Sequence, residues 1–417
     1  MIGTKKLAIY GGKPVSQKRK WPKWPQSNQK TEAYIKKVLK GERWSIGKFD
    51  PKDLSFNEIF CEKFSEFNSS RHVLTLDHGS NAILVALQAL GITKGDEVIV
   101  PSLTWVSCAT AVLRANATPI LVDVEPASQC MSPYHTEQAI TSKTKAILMV
   151  HLHSCMANVD AFLSLAEKYN LFVIEDCSQA HGAEWNGKKA GTFGTIGVFS
   201  TEQSKLLTSG EGGILTTEDG ALYEKMFLLN NDGRRKGKYY LEEDGSLIGA
   251  NFALTEFQSA ILCAGLEALP AQNAIREENA SYLAALLKEV PGVMNISPYN
   301  QNNKRAYFHF NFRIDRNFFN NKNISQICAA LTAELGFWVK TNHQPINNCK
   351  LFHPKRDQKY NWLLLPNYAS NHFQESIRQF ESTILIHHSI LLAKRENMEK
   401  IYQAVLKVQQ LSLYIDQ

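Results

Sequence analysis

The fold turns on residues 73–105, VLTLDHGSNAILVALQALGITKGDEVIVPSLTW. VLTL (73–76) and DEVIVP (96–101) are short apolar runs of strand length, and between them GSNAILVALQALG (79–91) has the length and apolar content of a helix. Working outward, a helical TWVSCATAVLRAN follows, then PILVDV (119–124), AILMVHLH (146–153), the helical DAFLSLAEKYN (160–170), LFVIEDC (171–177) and GVFST (197–201). Short apolar strands alternating with helices of roughly ten to fifteen residues predict an α/β fold: a mostly parallel sheet with helices on both faces.

The flanks read differently. The first thirty residues, including the Lys-, Pro- and Trp-rich KRKWPKWPQSNQK, predict an irregular arm over the surface, and 31–40 a short helix. Beyond residue 256 the pattern predicts two helices meeting near Pro270, a strand in AYFHFNFRI and helices at 325–335 and 396–411. The expected parts are an arm (1–30), a large α/β domain (31–270) and a smaller C-terminal α+β domain (271–417).

Composition limits the function classes. Of 417 residues, 46 are Lys or Arg and 40 Asp or Glu, a formal charge of +6 that is too mild over this length for a nucleic-acid binder. The GRRKGK run (233–238) is the local exception and could hold an anion. Apolar stretches such as AILMV (146–150) fall far short of a membrane span, and the N-terminus carries no signal-peptide pattern, so a soluble cytoplasmic protein is expected. The eight cysteines form no CxxC pair and are expected to be reduced packing residues. His151-Leu-His153 places two imidazoles on one strand face, but no third ligand is in view and no metal is expected.

Ligands of open parallel sheets bind at the carboxyl ends of the strands. LFVIEDCSQAHG places Asp176 at such an end, with Gln179 and His181 beyond. An aspartate there can be a turn residue, or a fixed anion that keeps a heteroaromatic nitrogen protonated, as a pyridoxal ring requires. In GVFSTEQSKLLTSGEGG, Lys205 lies five residues beyond Ser200. A lysine held there with a depressed pKa can form an imine with an aldehyde, and Ser200 could bond a phosphate, with Gly210, Gly212 and Gly213 letting the backbone pass close. Gly79 and Ser80 open a helix whose unpaired N–H groups can cradle phosphate, although Ser80 would serve equally as a plain N-cap. Trp105, after a strand and a proline, is placed either to pack in the core or to stack on a flat ring.

With these motifs in order, the sequence resembles the sugar aminotransferases of the DegT/DnrJ/EryC1/StrS family. GDEVIVPSLTW, VIEDCSQAHGAEWNGKKAGTFGTIGVFS, KLLTSGEGG and NFALTEFQSAIL carry the resemblance from about Trp21 onward, and IHHSILLA looks most like the aminocyclitol branch. The resemblance implies the type I, aspartate aminotransferase-like fold and pyridoxal 5′-phosphate as cofactor. It implies Lys205 as the Schiff-base lysine, Asp176 at the pyridine nitrogen, Gln179 near the ring hydroxyl and Trp105 stacked on the ring. Gly79, Ser80 and Ser200 are implied at the phosphate, and Asn251 as a residue reaching it from a second subunit, making a homodimer with shared sites. The implied reaction moves an amine from glutamine or glutamate to a ketocyclitol. A nucleotide-linked ketosugar acceptor, which Arg234, Arg235 and Lys236 could serve, is the alternative; a non-catalytic protein retaining the fold is a third, against which Lys205 argues. Asp77-His78-Gly79-Ser80-Asn81 replaces the family's usual Ser-Gly-Thr, and Glu202 stands where aminocyclitol enzymes tend to carry glutamine.

Overall fold

The computed structural model describes residues 6–16, 21–47, 54–153, 155–295, 303–361, 363, 365–366, 368 and 372–415; the remainder of the expected N-terminal arm lies outside them. The apolar runs of the opening stretch become β1 (His72–Leu76) and β2 (Glu97–Pro101), followed by β3 (Thr118–Val122), β4 (Thr144–Val150) and β5 (Phe172–Asp176). A small hairpin, β6 (Glu184–Trp185) and β7 (Lys188–Lys189), precedes β8 (Ile196–Ser200) and β9 (Gly213–Thr217). The large sheet has the order β1-β9-β8-β5-β4-β2-β3, parallel from β8 to β3, with β9 antiparallel to both its neighbours.

Helices pack on both faces because the strands are buried on both sides. They are α1 (Gln29–Lys40), α2 (Phe56–Asn68), α3 (Gly79–Ala89), α4 (Ser107–Arg114), α5 (Pro133–Ala139), α6 (Val159–Tyr169) and α7 (Gly220–Asn230). One core gathers Phe60, Phe64, Ile147, Phe162 and Phe199; the other gathers Ile83, Val85, Val100, Leu148 and Ile196 from the opposite face. The basic run at 233–238 lies in a hairpin, β10 (Arg234–Lys236) and β11 (Leu241–Glu243).

The two helices expected around Pro270 are one helix, α8 (Glu256–Leu287). Thr255 and Gln258 form a capping box at its start, which fixes the first turn. Proline removes one backbone hydrogen bond, but packing at both ends holds the helix through it. Leu262, Cys263, Leu266 and Leu269 enter the large core, whereas Ala280, Leu283 and Leu287 enter a third core shared with the C-terminal residues. That third core is built on an antiparallel sheet, β12 (Val293–Asn295), β13 (His309–Ile314), β14 (Val339–Thr341) and β15 (Thr383–His387), in the order β12-β13-β15-β14. Helices α9 (Ile324–Leu335), α10 (Gln374–Ser382) and α11 (Glu396–Gln410) complete this part.

The N-terminal arm is more firmly seated than an irregular surface arm. Leu7 and Trp21 are buried in the third core, and Trp21 Nε1 donates to the Leu335 carbonyl at 2.7 Å. Trp24 Nε1 donates to the Gln203 carbonyl at 2.9 Å, tying the arm to the segment that bears Lys205.

Candidate active site

The carboxyl ends of β4, β5 and β8 open onto a cavity of about 440 Å³. Gly79, Ser80, Trp105, Asp176, Gln179, Ser200 and Lys205 all line it, together with Glu202, Phe308, Lys340 and His343. Asn251 does not line it. Its side chain is exposed and its Oδ1 accepts the Ala253 N–H at 3.3 Å.

Asp176 ends β5 and is buried, with both carboxylate oxygens held. Oδ1 accepts the Ser178 N–H at 3.0 Å and Oδ2 the Cys108 thiol at 3.2 Å. Burial pushes the Cys108 thiol well up, and the Asp176 charge pushes it further, so the sulfur stays protonated as the donor. Glu175, its neighbour, points to the other side of the sheet. It accepts from His151 Nε2 at 3.2 Å and from the amides of Gly191, Phe193 and Gly194 at 2.9, 2.7 and 2.7 Å. Burial opposes its charge, but His151 and these amides hold its pKa below the ordinary carboxylate range. Glu175, His151 and Cys177 cluster closely enough to suggest a metal, yet four donors already occupy the carboxylate, so the group is a structural tie between β5 and the loop before β8.

Lys205 follows β8 on a turn in which its own N–H donates to the Glu202 carbonyl at 2.9 Å. The side chain is half-buried, with Nζ 4.6 Å from the Phe308 ring centroid. Burial lowers the amine below the ordinary lysine range, while the carboxylates of Asp176 and Glu202 oppose that shift. Glu202 is itself fixed, since its Oε2 accepts the Ser204 N–H at 3.0 Å and the Ser204 hydroxyl at 2.5 Å.

Helix α3 begins at the cavity without a side-chain cap, so its first N–H groups and its positive dipole end face the space beside Ser200. Gly79 is required there: a Cβ would stand 2.7 Å from the Ser200 Cβ. Gly213 serves the same close approach, because its Cβ would meet the His78 carbonyl oxygen at 2.6 Å. Gly213 thus seats β9 against the start of α3, whereas Gly210 has open space and Gly212 faces Thr201; Glu211, between those two, is the residue of that loop that reaches the cavity. Trp105 is half exposed at 54%, which excludes the core-packing alternative, and its ring lies 6.1 Å edge-on from His343.

The histidines divide into groups. His181 is buried against Phe199 and does not line the cavity. His387 and His388 instead converge behind Lys205, each placing Nε2 3.0 Å from the Ser204 carbonyl. His153 Nε2 meets Asn342 Oδ1 at 2.8 Å and its Nδ1 meets His309 Nδ1 at 3.2 Å, so His153 donates to the amide oxygen and His309 to His153. Burial pushes His153 down to about 3 and His387 to about 4, which keeps both imidazoles neutral. His153 N–H donates to Gln179 Oε1 at 2.6 Å, fixing that amide at the cavity wall. Lys340, His343 and Phe308 were not legible as site residues, because they reach the cavity from the C-terminal part on or beside short, unremarkable strands.

The family model of the DegT/DnrJ/EryC1/StrS aminotransferases matches residues 25–405. The chain belongs to that family. This aminotransferase is 37% identical to L-glutamine:scyllo-inosose aminotransferase of Streptomyces griseus over 414 residues, covering 96% of this chain and 97% of that one. It is 36% identical to L-glutamine:2-deoxy-scyllo-inosose aminotransferase of Micromonospora echinospora, with the same coverage. Among solved structures, the aminotransferase of Psychrobacter cryohalolentis superimposes with a TM-score of 0.82 at 26% identity, covering 95% of this chain and 100% of that one. The expected α/β aminotransferase fold is therefore the fold of this chain. Among the described residues no helix is long and apolar enough to cross a membrane.

Proposed function

We propose that this aminotransferase uses pyridoxal 5′-phosphate to move the amino group of glutamine or glutamate onto a ketone-bearing cyclitol, in aminoglycoside or related secondary-metabolite synthesis. The observation that carries the reading is the placement of the Lys205 amine and the fixed Asp176 carboxylate on one cavity, beside the uncapped start of α3. These groups fit the cofactor. The N–H groups of α3 and the Ser200 hydroxyl suit a phosphate, Asp176 suits a protonated ring nitrogen, and the half-exposed Trp105 offers a flat face. When bound, the cofactor supplies an electron sink for the carbanion left when the donor Cα loses its proton.

The protein groups do the rest. Lys205 Nζ, with its pKa lowered by burial, supplies free amine to hold the cofactor and to take the Cα proton. Asp176 keeps its charge directed because Cys108 and Ser178 hold its two oxygens. Trp105 excludes water from one side. His387 and His388 steady the peptide before Lys205 through its carbonyl.

The names of the relatives support glutamine as donor and an inosose-type ketone as acceptor. A nucleotide-linked acceptor is less well served. Arg234 pairs with Asp232, Arg235 with Glu242 and Asp244, and Lys236 with Glu58, so the basic hairpin is already neutralised within the chain. The exposure of Asn251 outside its own cavity supports the homodimer in which it serves the partner's site. The passage of α8 between two cores supports a division near residue 270 into a large domain (31–270) and a small one (271–417), with the described residues of the arm (1–30) touching both. A cytoplasmic location goes with this reading. The test is an amine-transfer screen with glutamine, offering ketocyclitols and nucleotide ketosugars side by side. Transfer to the ketocyclitol is expected, and transfer to the nucleotide sugars alone would reverse the acceptor assignment.

A further inference from the structure

An amino-acid donor brings a carboxylate into a half-enclosed cavity, and a carboxylate removed from water needs a cation or several good donors. Lys205 is committed to the cofactor in the proposed function. Among the described residues lining the cavity, the other lysine is Lys340, and no arginine lines it.

Lys340 is the middle residue of β14, the edge strand of the small sheet, opposite Leu385 of β15. Its side chain is half-buried, lines the cavity, and has neither hydrogen bond nor ion pair among the described residues; its one close aromatic neighbour is the Trp338 ring, 5.1 Å from Nζ. A lysine that only decorates an edge strand would extend into water. Three residues on, His343 lines the same cavity, and its Nε2 is buried with no hydrogen-bond partner. Lys340, which has no ion-pair partner among the described residues, and the unpartnered His343 Nε2 therefore both face the space beside Lys205 and Glu202.

We infer that Lys340, assisted by His343, binds the α-carboxylate of the amino-acid donor. This rests on the proposed function and adds to it which part of the chain recognises the donor. Burial and the Lys205 charge both act to lower the Lys340 amine, and Glu202 opposes them. Loss of the positive charge on Lys205 favours the charged form of Lys340 and so prepares it for an anion. The ketone acceptor has no carboxylate, so Lys340 distinguishes the donor half of the reaction from the acceptor half.

The test compares glutamine with its α-carboxamide, glutaminamide, in the cofactor-loaded wild type, Lys340→Met and Lys340→Arg. Donor half-reactions are followed by absorbance, and calorimetry measures binding of the non-reacting analogue 2-methylglutamine. The wild type is expected to prefer glutamine by on the order of 100-fold, the scale of a desolvated charge pair losing one partner. Lys340→Met should lose most of that preference and bind 2-methylglutamine correspondingly more weakly. Lys340→Arg should retain the preference. An unchanged preference and unchanged binding in Lys340→Met overturn the inference alone. A wild type that uses both donors equally likewise overturns the inference alone, whereas one that uses neither overturns the glutamine assignment on which the inference rests.

Discussion

Cys108 Sγ lies 3.2 Å from Asp176 Oδ2 and donates to it, from the first turn of α4 to the end of β5. A buried aspartate is thereby held by a neutral donor, so its orientation is set without its charge being cancelled. Asp176→Asn keeps the shape and removes the charge. Turnover is expected to fall about 100- to 1000-fold, the cost of losing one preorganised electrostatic partner, while cofactor affinity changes less. Steady-state rates and equilibrium dialysis of the cofactor measure the two effects. Near-normal turnover in Asp176→Asn would remove the electron-sink role from this residue.

Lys205 carries a second expectation. Borohydride should fix the cofactor to the peptide containing Lys205, and Lys205→Ala should lose turnover by several orders of magnitude. The pH dependence has a definite sign. Glu202 raises the Lys205 pKa against the lowering by burial. Glu202→Gln removes that opposition, so the pH midpoint for covalent attachment should move to lower pH. A midpoint that stays in place, or moves to higher pH, contradicts the coupling.

The buried histidines make stability fall in acid. His153 and His181 are pushed down to about 3 and His387 to about 4 by burial, whereas unfolded histidine titrates near 6.5. Between those values the unfolded chain binds more protons, so stability is fully present above about pH 6.5 and declines as pH falls toward the folded values. Each such group contributes a slope of about 1.4 kcal/mol per pH unit within its window. Urea unfolding from pH 7 to pH 5 measures the total. His153→Gln, neutral in both states, should flatten the slope by about one such increment, and an unaltered slope would show that His153 is not titrating on unfolding.

The Gly79 contact with Ser200 predicts a steric effect on phosphate binding. Gly79→Ala must push the start of α3 away from β8, and overpacking of this kind costs about 1–3 kcal/mol. Cofactor affinity should drop about tenfold or more. Gly220→Ala, at the start of α7 where a Cβ meets its nearest neighbour at 3.5 Å, should leave affinity unchanged. Equal losses in the two variants would mean that the close approach has no bearing on binding.

Much of this architecture was legible because buried parallel strands are continuous apolar runs, and VLTL, DEVIVP and LFVIEDC say so directly. β9 was harder to see: GILTT holds only two large apolar residues, and its partners are set by the chain reversing through the Gly210–Gly213 loop. α2 was passed over although Ser55 and Glu58 form a capping box that marks its start. Pro270 misled for the opposite reason, since local propensity lost to packing at both ends of α8. In the site, Asp176 and Lys205 were legible from their places after strands. Lys340 and His343 were not, because nothing local distinguishes a lysine on a three-residue edge strand until the C-terminal sheet is folded against the large one.

Asn251 supplies the last prediction. It lies beyond the β10–β11 hairpin, is exposed, and uses Oδ1 on its own Ala253 amide, a bond that any small polar side chain could replace. Among the described residues Asn251 does not line the cavity of its own chain, so the proposed role requires a second subunit. In a two-fold dimer each cavity would take Lys205 from one chain and Asn251 from the other. Lys205→Ala and a severe Asn251 variant such as Asn251→Trp should then each be inactive alone. Mixed after partial denaturation, they should form hybrids in which one cavity has both intact residues, approaching half the activity of a wild-type dimer per hybrid. Sedimentation at assay concentration gives the second check, with a dimer expected. If the hybrids stay silent while wild-type subunits exchange under the same conditions, or if a monomer is fully active, Asn251 acts within its own chain or not at all.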